Sequence, residues 1–269
     1  MSSITTVLLL IGLAGGVCAQ SASTEATRGD GKGPVLRRHA GYLGDRAPAA
    51  KDFLTPPPAA DSAEGRAEIK IFHETRTLVG SARWKMAARD AAFNMWPTFS
   101  CALDAKLTPD EIPLTLRLIR RTMADVGPII GQEKNYYNRP RPYTVAKGDT
   151  CVPTNNLSPN GSYPSGHSTA GWTWTLLLAE LVPDRAGQII GRGRAFGESR
   201  VICGVHYPSD VVAGETIATT VMSALQNNPD FIADRKAAQK ELKAAIASAP
   251  KPDAARCTAE SKLVRQRPW

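Results

Sequence analysis

The residues of this chain that could do chemistry are concentrated in three short clusters near its middle. The clusters are Lys134-x6-Arg141-Pro142, Pro164-Ser165-Gly166-His167 and Ser199-Arg200-x5-His206-x3-Asp210. Together they supply three cations, a glycine-containing turn, two histidines and one carboxylate. Such a set can hold a bound phosphate group and let its phosphoryl group pass to a histidine without a metal.

Phosphate binding explains the basic residues and the turn. During transfer, negative charge spreads over the phosphoryl oxygens, so a site without a metal must offer fixed donors. The guanidinium groups of Arg141 and Arg200 can bind oxygens in pairs, and Lys134 adds a point charge. The Ser165-Gly166-His167 turn precedes an apolar helical run. Its amides can therefore point at an anion from a helix N-terminus, and its serine hydroxyl adds a donor.

Phosphoryl transfer explains the two histidines and the carboxylate. Pro208 is expected to open a helix, which places His206 just before the helix and Asp210 in its first turn. The Asp210 carboxylate can then reach back to one imidazole nitrogen and leave the other free to attack phosphorus. His167 becomes the acid that protonates the leaving group and the base for water in the second step.

Each cluster alone is a weak signal. A lone Pro-Ser-Gly-His is usually a coincidence, and a lone His-x3-Asp is most often a solvated helix face. The occurrence of all three clusters in this order argues against coincidence. The chain has four histidines, and two of them fall in the clusters. The other two, His39 and His73, are interpreted as structural or surface residues.

The composition is that of a folded protein. A chain of 269 residues with 42% hydrophobic and 22% charged residues can bury a real core. The net charge of +8 comes from scattered basic residues rather than basic runs. We therefore expect no polymeric nucleic acid as a partner, and the charge favours small anionic substrates.

The first 19 residues are predicted to be a signal peptide. Their apolar stretch ends at Val17-Cys18-Ala19, with cleavage expected before Gln20. Cys18 also permits a lipoprotein interpretation, which the preceding Val17 disfavours. The protein is therefore expected to be periplasmic or secreted. No membrane insertion is expected, because no later segment is both long and uncharged.

Cysteine usage fits export. Without Cys18, the chain keeps Cys101, Cys151, Cys203 and Cys257. An even number in an exported protein indicates disulfides, and four cysteines allow three pairings. We favour Cys151–Cys203, because each lies close in sequence to one of the clusters, and Cys101–Cys257 by elimination. Since no CxxC pair occurs, we expect no zinc site, and neither a metal nor another cofactor is predicted.

The hydrophobic pattern predicts an all-α fold, a compact helical bundle. Residues 20–60 are rich in Gly, Pro and Ala and are expected to form an extended arm; residues 61–250 form the helical domain and residues 251–269 a tail. Helices are predicted over about 61–90, 110–127, from the PSGH cluster to 181, 184–196, 208–226 and 229–247. No alternating strand pattern and no internal repeat is evident.

The combined pattern resembles the type 2 phosphatidic acid phosphatase superfamily, which also contains the vanadium haloperoxidases. The segments GSYPSGHSTAGW, LAELVPDRAGQI and GESRVICGVHYPSD are similar to the bacterial class A non-specific acid phosphatases. The similarity covers roughly residues 60 to 245, including TRTLVGSARWKMAARDAAF. It implies an all-α fold of that type. It also implies metal-independent hydrolysis of many phosphomonoesters through a phosphohistidine, with phosphate transfer to alcohols as a related activity.

The resemblance also implies roles for residues. His206 becomes the nucleophile, His167 the general acid and Asp210 the partner of His206. The implied phosphate-binding set is Lys134, Arg141, Ser165, Gly166, His167 and Arg200. An earlier arginine–proline pair, Arg139-Pro140, lies two residues too early for the family spacing, so Arg141-Pro142 is assigned instead. Family members are often homo-oligomers, and the sequence leaves this point open.

Three other functions fit part of the pattern. A vanadium-dependent haloperoxidase uses the same cage, although those enzymes are usually much longer. A lipid phosphatase would need transmembrane helices, which the sequence does not predict. A non-catalytic phosphate-binding protein would need the cage but not the His206–Asp210 pair, so the pair favours catalysis. The natural substrate, and the preference between hydrolysis and phosphotransfer, stay open.

Overall fold

Ten α-helices build the part of the chain that the computed structural model describes, residues 40–269. They are α1 (Ala63–Arg76), α2 (Ala82–Asp90), α3 (Met95–Leu103), α4 (Pro113–Tyr137), α5 (Pro142–Val145), α6 (Gly166–Leu181), α7 (Ala186–Ile202), α8 (Pro208–Leu225), α9 (Pro229–Ser248) and α10 (Ala254–Val264). These residues contain no strand, which confirms the predicted all-α class. The predicted signal peptide, the first part of the arm, Cys18 and His39 lie outside the described residues.

Helix α6 is the central helix and packs mainly along α7 and α8. Two glycines permit its close approach to α7. A Cβ atom on Gly171 would collide with the ring of Phe196, and one on Gly193 would collide with Thr175. The earlier α6 residue, Gly171, meets the later α7 residue, Phe196, whereas Thr175 meets Gly193. The two helices therefore run antiparallel. The N-terminus of α6 therefore lies beside the C-terminal part of α7.

Helix α4 is longer than the sequence pattern predicted. The prediction ended it near Gly127, but it continues through Pro128 to Tyr137. Proline removes one backbone hydrogen bond from a helix. Here Val126 and Ile129 stay buried on either side of it, and the packing of α4 on α6, α8 and α9 offsets the loss. The extension carries Lys134 into the last turn of the helix.

The predicted helix over residues 61–90 is two helices. The Ser62 hydroxyl caps α1 by accepting from the Gly65 amide at 3.0 Å, and α1 ends at Arg76. The chain then turns through Gly80, whose φ of +77° suits glycine. Ser81 caps α2 by accepting from the amide of Trp84 at 3.1 Å.

Three further boundaries differ from the prediction. Helix α7 runs on to Ile202 instead of ending near Phe196, so Arg200 lies on a helix. Helices α3, α5 and α10 were not predicted, and α10 lies within the predicted tail of residues 251–269. Helix α10 has no fully buried residue, so burial of an apolar face gives only a weak pattern in its sequence.

The described part of the predicted arm packs over the body. The amides of Tyr42 and Leu43 donate to the carboxylate of Asp125 on α4, at 2.8 and 2.9 Å. Tyr42 also donates its hydroxyl to Asp234 on α9 at 2.8 Å. These bonds hold residues 40–43 on the surface formed by α4 and α9.

The four cysteines lie at disulfide distance in the pairs that the sequence favoured. The Cα atoms are 5.3 Å apart in Cys101–Cys257 and 4.6 Å apart in Cys151–Cys203. The first pair joins α3 to α10. The second joins the loop after α5 to the residue that follows α7, and so ties two segments near the candidate site together.

Candidate active site

The structure brings all eight predicted site residues to the N-terminal end of α6. Lys134 lies in the last turn of α4, Arg141 just before α5, Arg200 near the end of α7 and Asp210 in the first turn of α8. Ser165, Gly166 and His167 begin α6, and His206 lies in the loop between α7 and α8. The amide of Ser165 donates to the carbonyl of Asp210 at 2.9 Å and joins α6 to α8.

The ring of His206 is buried and held at both nitrogens. Its Nδ1 lies 3.3 Å from Oδ2 of Asp210, and its Nε2 lies 3.0 Å from Nη1 of Arg141. An ionised carboxylate only accepts and a guanidinium only donates, so Nδ1 carries the proton and Nε2 presents its lone pair. Burial holds the pKa of His206 well below its usual value, although the hydrogen bond to Asp210 opposes the shift. His206 is therefore a neutral base beside cations.

Asp210 is buried among hydrogen-bond donors. Its Oδ2 also accepts from the Ser162 hydroxyl at 2.5 Å and the Tyr207 amide at 2.9 Å. Its Oδ1 pairs with Nη1 of Arg139 at 2.6 Å. Burial raises the pKa of Asp210, but the hydrogen bond to His206, the Arg139 charge and the Ser162 hydroxyl hold it below its usual range. The carboxylate is thus fixed in both position and charge.

The two predicted phosphate-binding arginines differ in their existing partners. Arg141 donates Nε to the carbonyl of Ser158 at 2.8 Å and Nη1 to that of Val205 at 2.7 Å, so the backbone orients it. Arg200 is only 4% exposed, yet its Nε and Nη1 find no hydrogen-bond partner among residues 40–269. Buried donors of this kind are costly unless a ligand satisfies them. Arg200 therefore has two buried donors that a bound oxyanion can satisfy.

Lys134 adds a third cation to the same space. Its Nζ donates to the carbonyl of Gly161. Burial, followed by repulsion from Arg141 and Arg200, lowers the pKa of Lys134 to about 8. The amine is therefore still largely protonated at neutral and acid pH. Three mutually repelling cations at one place favour the binding of a small anion that carries more than one negative charge.

The N-terminus of α6 supplies amides, but its serine is already engaged. The Ser165 hydroxyl accepts from the amide of Ser168 at 3.2 Å and lies 2.8 Å from the Ser168 hydroxyl. Ser165 is thus first a helix cap, and its expected donation to an anion is compatible with this role when the Ser168 hydroxyl is the donor of the pair. A Cβ atom on Gly166 would lie 3.3 Å from Cγ2 of Ile130, a tight contact, and 3.7 Å from Cε of Lys134, so Gly166 packs directly against α4.

His167 has a different environment from His206. Its Nε2 lies 3.0 Å from the carbonyl oxygen of Asp90, which only accepts, so Nε2 carries a proton and Nδ1 remains for proton exchange. Phe196 stacks on the ring at 5.3 Å between centroids, and Phe93 lies 4.6 Å away. Burial and then the Arg200 charge lower the pKa of His167 to about 3. The expected protonated state of His167 therefore requires a nearby anion to offset Arg200.

Sequence reasoning missed the residues that hold the Asp210 carboxylate. Arg139 was set aside because of its spacing, yet it pairs with both Asp210 and Glu68 at 2.6 Å. The doubled Arg-Pro of Arg139-Pro140-Arg141-Pro142 was the available signal. Ser162 and Glu68 had no local signal. His73 is exposed on α1, as a surface interpretation requires.

The geometry suits the capture of a phosphate-like group next to a nucleophile. Cations from α4, α7 and the loop before α5 converge with the free amides of α6, and the Nε2 lone pair of His206 lies among them. Within residues 40–269, no three His, Cys, Asp or Glu side chains are grouped so as to hold a metal. In the same range, no helix has the length and hydrophobicity that a bilayer crossing requires.

Comparison with known proteins agrees with this geometry. Residues 121–230 match the family model described as the PAP2 superfamily, and this span contains all eight predicted site residues. An acid phosphatase of Zymomonas mobilis subsp. mobilis is 39% identical over 77% of this chain and 81% of its own length. Non-specific acid phosphatases of Salmonella typhimurium and Salmonella typhi are 37% and 35% identical, each over 71% of this chain and 78% of their own length.

Proposed function

The chain belongs to the PAP2 superfamily, within which it is a class A acid phosphatase and a phosphoric monoester hydrolase, and we propose that it works through a phosphohistidine on His206. The observation that carries this proposal is the pair of contacts on the His206 ring. Asp210 holds Nδ1–H, and Arg141 faces the Nε2 lone pair. A bound phosphate would engage Arg141 and meet that lone pair.

In the first step, Nε2 of His206 attacks phosphorus and the bond from phosphorus to the leaving oxygen breaks. The leaving oxygen takes the bond's electron pair and receives a proton from Nδ1 of His167. Arg141, Arg200, Lys134 and the first amides of α6 stabilise the charge on the phosphoryl oxygens. The Asp210 carboxylate stabilises the positive charge that His206 gains.

In the second step, water attacks the phosphohistidine. Nδ1 of His167, now neutral, takes a proton from the water as the phosphorus–nitrogen bond breaks. His206 recovers its lone pair, and phosphate leaves with His167 again in its protonated form. An alcohol in place of water gives phosphate transfer by the same route.

We expect broad specificity for phosphomonoesters. The predicted binding residues surround the phosphate group, and apart from His167, which protonates the leaving oxygen, none of them is assigned to the leaving group. Small phosphate esters are therefore the proposed substrates. A substrate panel that includes nucleotides, sugar phosphates and phytate checks this expectation; a specificity constant that is high for one ester alone would contradict it.

We also propose that the protein is exported. Two cysteine pairs at disulfide distance fit an oxidising compartment. N-terminal sequencing of the mature protein from a periplasmic or culture fraction should begin at Gln20. Peptide mapping without reduction should recover the Cys101–Cys257 and Cys151–Cys203 bridges.

The proposed reaction is tested by turnover of nitrophenyl phosphate in excess chelator. Activity should survive chelation, because side chains and amides stabilise the transferring group. Vanadate should inhibit competitively as a mimic of five-coordinate phosphorus. Loss of activity in chelator, restored by a divalent ion, would contradict the proposal. Phosphate binding without turnover would indicate a binding protein, and bromide oxidation by the vanadate-loaded protein would indicate a haloperoxidase.

A further inference from the structure

We propose that Arg139, held by Glu68, is a positioning residue that sets the geometry and charge of the Asp210–His206 pair. The inference rests on the proposed role of His206 as the nucleophile. Arg139 directs its Nη1 to Asp210 at 2.6 Å and to the Ser209 hydroxyl at 2.8 Å. Its Nη2 lies 2.6 Å from Oε2 of Glu68. Both terminal nitrogens of Arg139 are therefore hydrogen-bonded to protein side chains.

This arrangement clamps three separate parts of the chain. Glu68 comes from α1, Arg139 from the loop after α4, and Asp210 from the first turn of α8. Glu68 also accepts from the amide of Ser209 at 2.8 Å, and the guanidinium lies 4.0 Å from the centre of the Tyr207 ring. The side chains of Glu68 and Arg139 are 4% and 11% exposed. A guanidinium fixed on four sides holds the Asp210 carboxylate at one orientation toward His206.

Asp210 faces charged or titratable groups from every element packed around it. They are His206 and Tyr207 beside it in sequence, Arg139 and Arg141 before α5, Lys134 on α4, Tyr163 before α6, and Glu68 on α1 through Arg139. Arg139 is the cation that contacts the carboxylate directly. Among the surrounding cations, Arg139 therefore has the largest influence on the ionisation of Asp210, whereas Arg141 has the largest influence on that of His206.

The loss of that charge has a defined sign. Without the guanidinium, Asp210 and Glu68 become two buried carboxylates with one cation fewer between them, and each disfavours ionisation of the other. The pair then binds a proton more readily, whether the proton sits on Asp210 or on His206. A proton on His206 removes the lone pair of Nε2, and a proton on Asp210 removes the carboxylate charge that holds Nδ1–H and stabilises the charge that His206 gains. The acid limb of the pH–rate profile therefore moves to higher pH.

The chain offers a chemically matched control in Arg121. Arg121 pairs with Asp234 at 2.9 Å and with Asp230 at 3.7 Å, and it lies 3.8 Å from the centre of the Tyr42 ring. It thus has two carboxylates and a tyrosine ring, like Arg139, but it joins α4, α9 and residues 40–43. Arg121→Gln should lower stability through the loss of equivalent ion pairs and a ring contact, and it should leave the rate of the catalysed reaction unchanged.

The experiment compares pH profiles of kcat for the wild type, Arg139→Gln, Arg139→Lys and Arg121→Gln with saturating nitrophenyl phosphate. In Arg139→Gln, kcat should fall by about tenfold to a hundredfold, since small misplacements of reacting groups cost that much. The apparent pKa of the acid limb should increase by about 1 pH unit, which is the lower end of the effect that a neighbouring cation has on the pKa of a carboxylate. The inhibition constant of inorganic phosphate should stay within about threefold, because the loss falls on the transition state.

The other variants separate charge from geometry. Arg139→Lys keeps the charge but cannot bridge both carboxylates, so kcat should fall while the acid limb stays near its wild-type position. Glu68→Gln added to Arg139→Gln should reduce the upward shift, because one of the two carboxylates is gone. Arg121→Gln should match the wild type in kcat and in the acid limb. Ionisation of the substrate contributes equally to every pH profile. Differences between the profiles of two variants therefore come from ionisable groups of the protein.

Two results would overturn the inference. One is an unshifted acid limb in folded Arg139→Gln; the other is the same loss of kcat in Arg121→Gln. If Arg139→Gln does not fold, Arg139→Lys decides: kcat within about twofold of the wild type contradicts the role, because positioning loss lowers kcat. Rapid-quench labelling of the wild type separates this failure from that of the proposed function. If no phosphohistidine forms on His206, both the proposed mechanism and the role of Arg139 are contradicted. If the phosphohistidine forms but the Arg139→Gln profile is unshifted, only the role of Arg139 is contradicted.

Discussion

The two site histidines are held by opposite kinds of contacts. His206 lies between two ionic side chains, with Asp210 at Nδ1 and Arg141 at Nε2. His167 has a backbone carbonyl at Nε2 and phenylalanine rings beside it. Ionic partners that only accept or only donate fix the tautomer of His206. A carbonyl oxygen fixes the proton on Nε2 of His167 but contacts only that nitrogen. The protonation state of Nδ1 therefore depends on burial and on neighbouring charges.

This difference suits two different tasks. A nucleophile needs a lone pair with a fixed orientation, whereas an acid–base group must be protonated and deprotonated during the reaction. Burial lowers the pKa of both rings, with Arg200 adding to the shift at His167 and Arg141 to that at His206. His206 can act in that neutral state. His167 can act as an acid only when the charge of a bound phosphate offsets the effects of burial and of Arg200 on its pKa.

The largest expected effect is the loss of the nucleophile. His206→Ala should lower turnover of every ester by about 10⁴-fold or more, since removal of a covalent nucleophile has costs of that size in other enzymes. Rapid-quench labelling should trap phosphohistidine in His167→Ala protein and not in His206→Ala protein. Label found in His206→Ala instead would mean that the two roles are exchanged.

A smaller and selective effect is expected from loss of the acid. His167→Ala should reduce turnover of glycerol phosphate by about 10²–10⁴-fold, the usual contribution of general acid catalysis. Nitrophenyl phosphate should lose much less, because nitrophenolate leaves without a proton. The measurement is the ratio of kcat/KM for the two esters. An equal loss on both would refute an acid role for His167, and the same ratio measured on Arg200→Lys controls for weaker phosphate binding.

The smallest effect is a change in proton uptake. Because the pKa of His167 is about 3 without an anion, phosphate binding above that pH should raise the pKa and draw a proton from solvent. Affinity for phosphate should therefore fall more steeply with rising pH in the wild type than in His167→Asn. Titration calorimetry in buffers of different ionisation enthalpy counts the protons.

The wild type should take up as much as one proton more than His167→Asn, which can still donate to the Asp90 carbonyl. His73→Asn on the exposed face of α1 is the matched control and should behave like the wild type. Equal proton uptake by wild type and His167→Asn would show that His167 does not charge on binding, and the contrast between the two site histidines would then be lost.

Local patterns in the sequence predicted most of the helices and the clustering of the site. Pro208 in the first helical turn places His206 and Asp210 one turn apart, and the structure has α8 begin there. The apolar run after the Pro164-Ser165-Gly166-His167 cluster predicted α6, which begins inside the cluster with Ser165 as its cap. These signals work because caps and prolines act on their immediate neighbours.

Helix ends were less predictable where packing overrides local preference. A Gly127-Pro128 pair usually ends a helix, but in α4 the buried residues on both sides keep it continuous. Helix α10 has no buried residue and its Cys257 lies at disulfide distance from Cys101 on α3. Hydrophobic periodicity carries no information on either stabilising contact, because both join residues far apart in the chain; the pairing of Cys101 with Cys257 came from counting cysteines instead.

Local patterns in the sequence identify the residue types that can bind a phosphate group and exchange a proton with its ester oxygen: Lys134-x6-Arg141, Ser165-Gly166-His167 and His206-x3-Asp210. The protonation states of those residues follow from the packing of the helices and were not predictable from the patterns. The pKa values of the histidines follow from burial between helices, and the ionisation of Asp210 depends on Arg139, 71 residues away. Burial and charge act through space, so residues distant in sequence set the chemistry of the nearby motif.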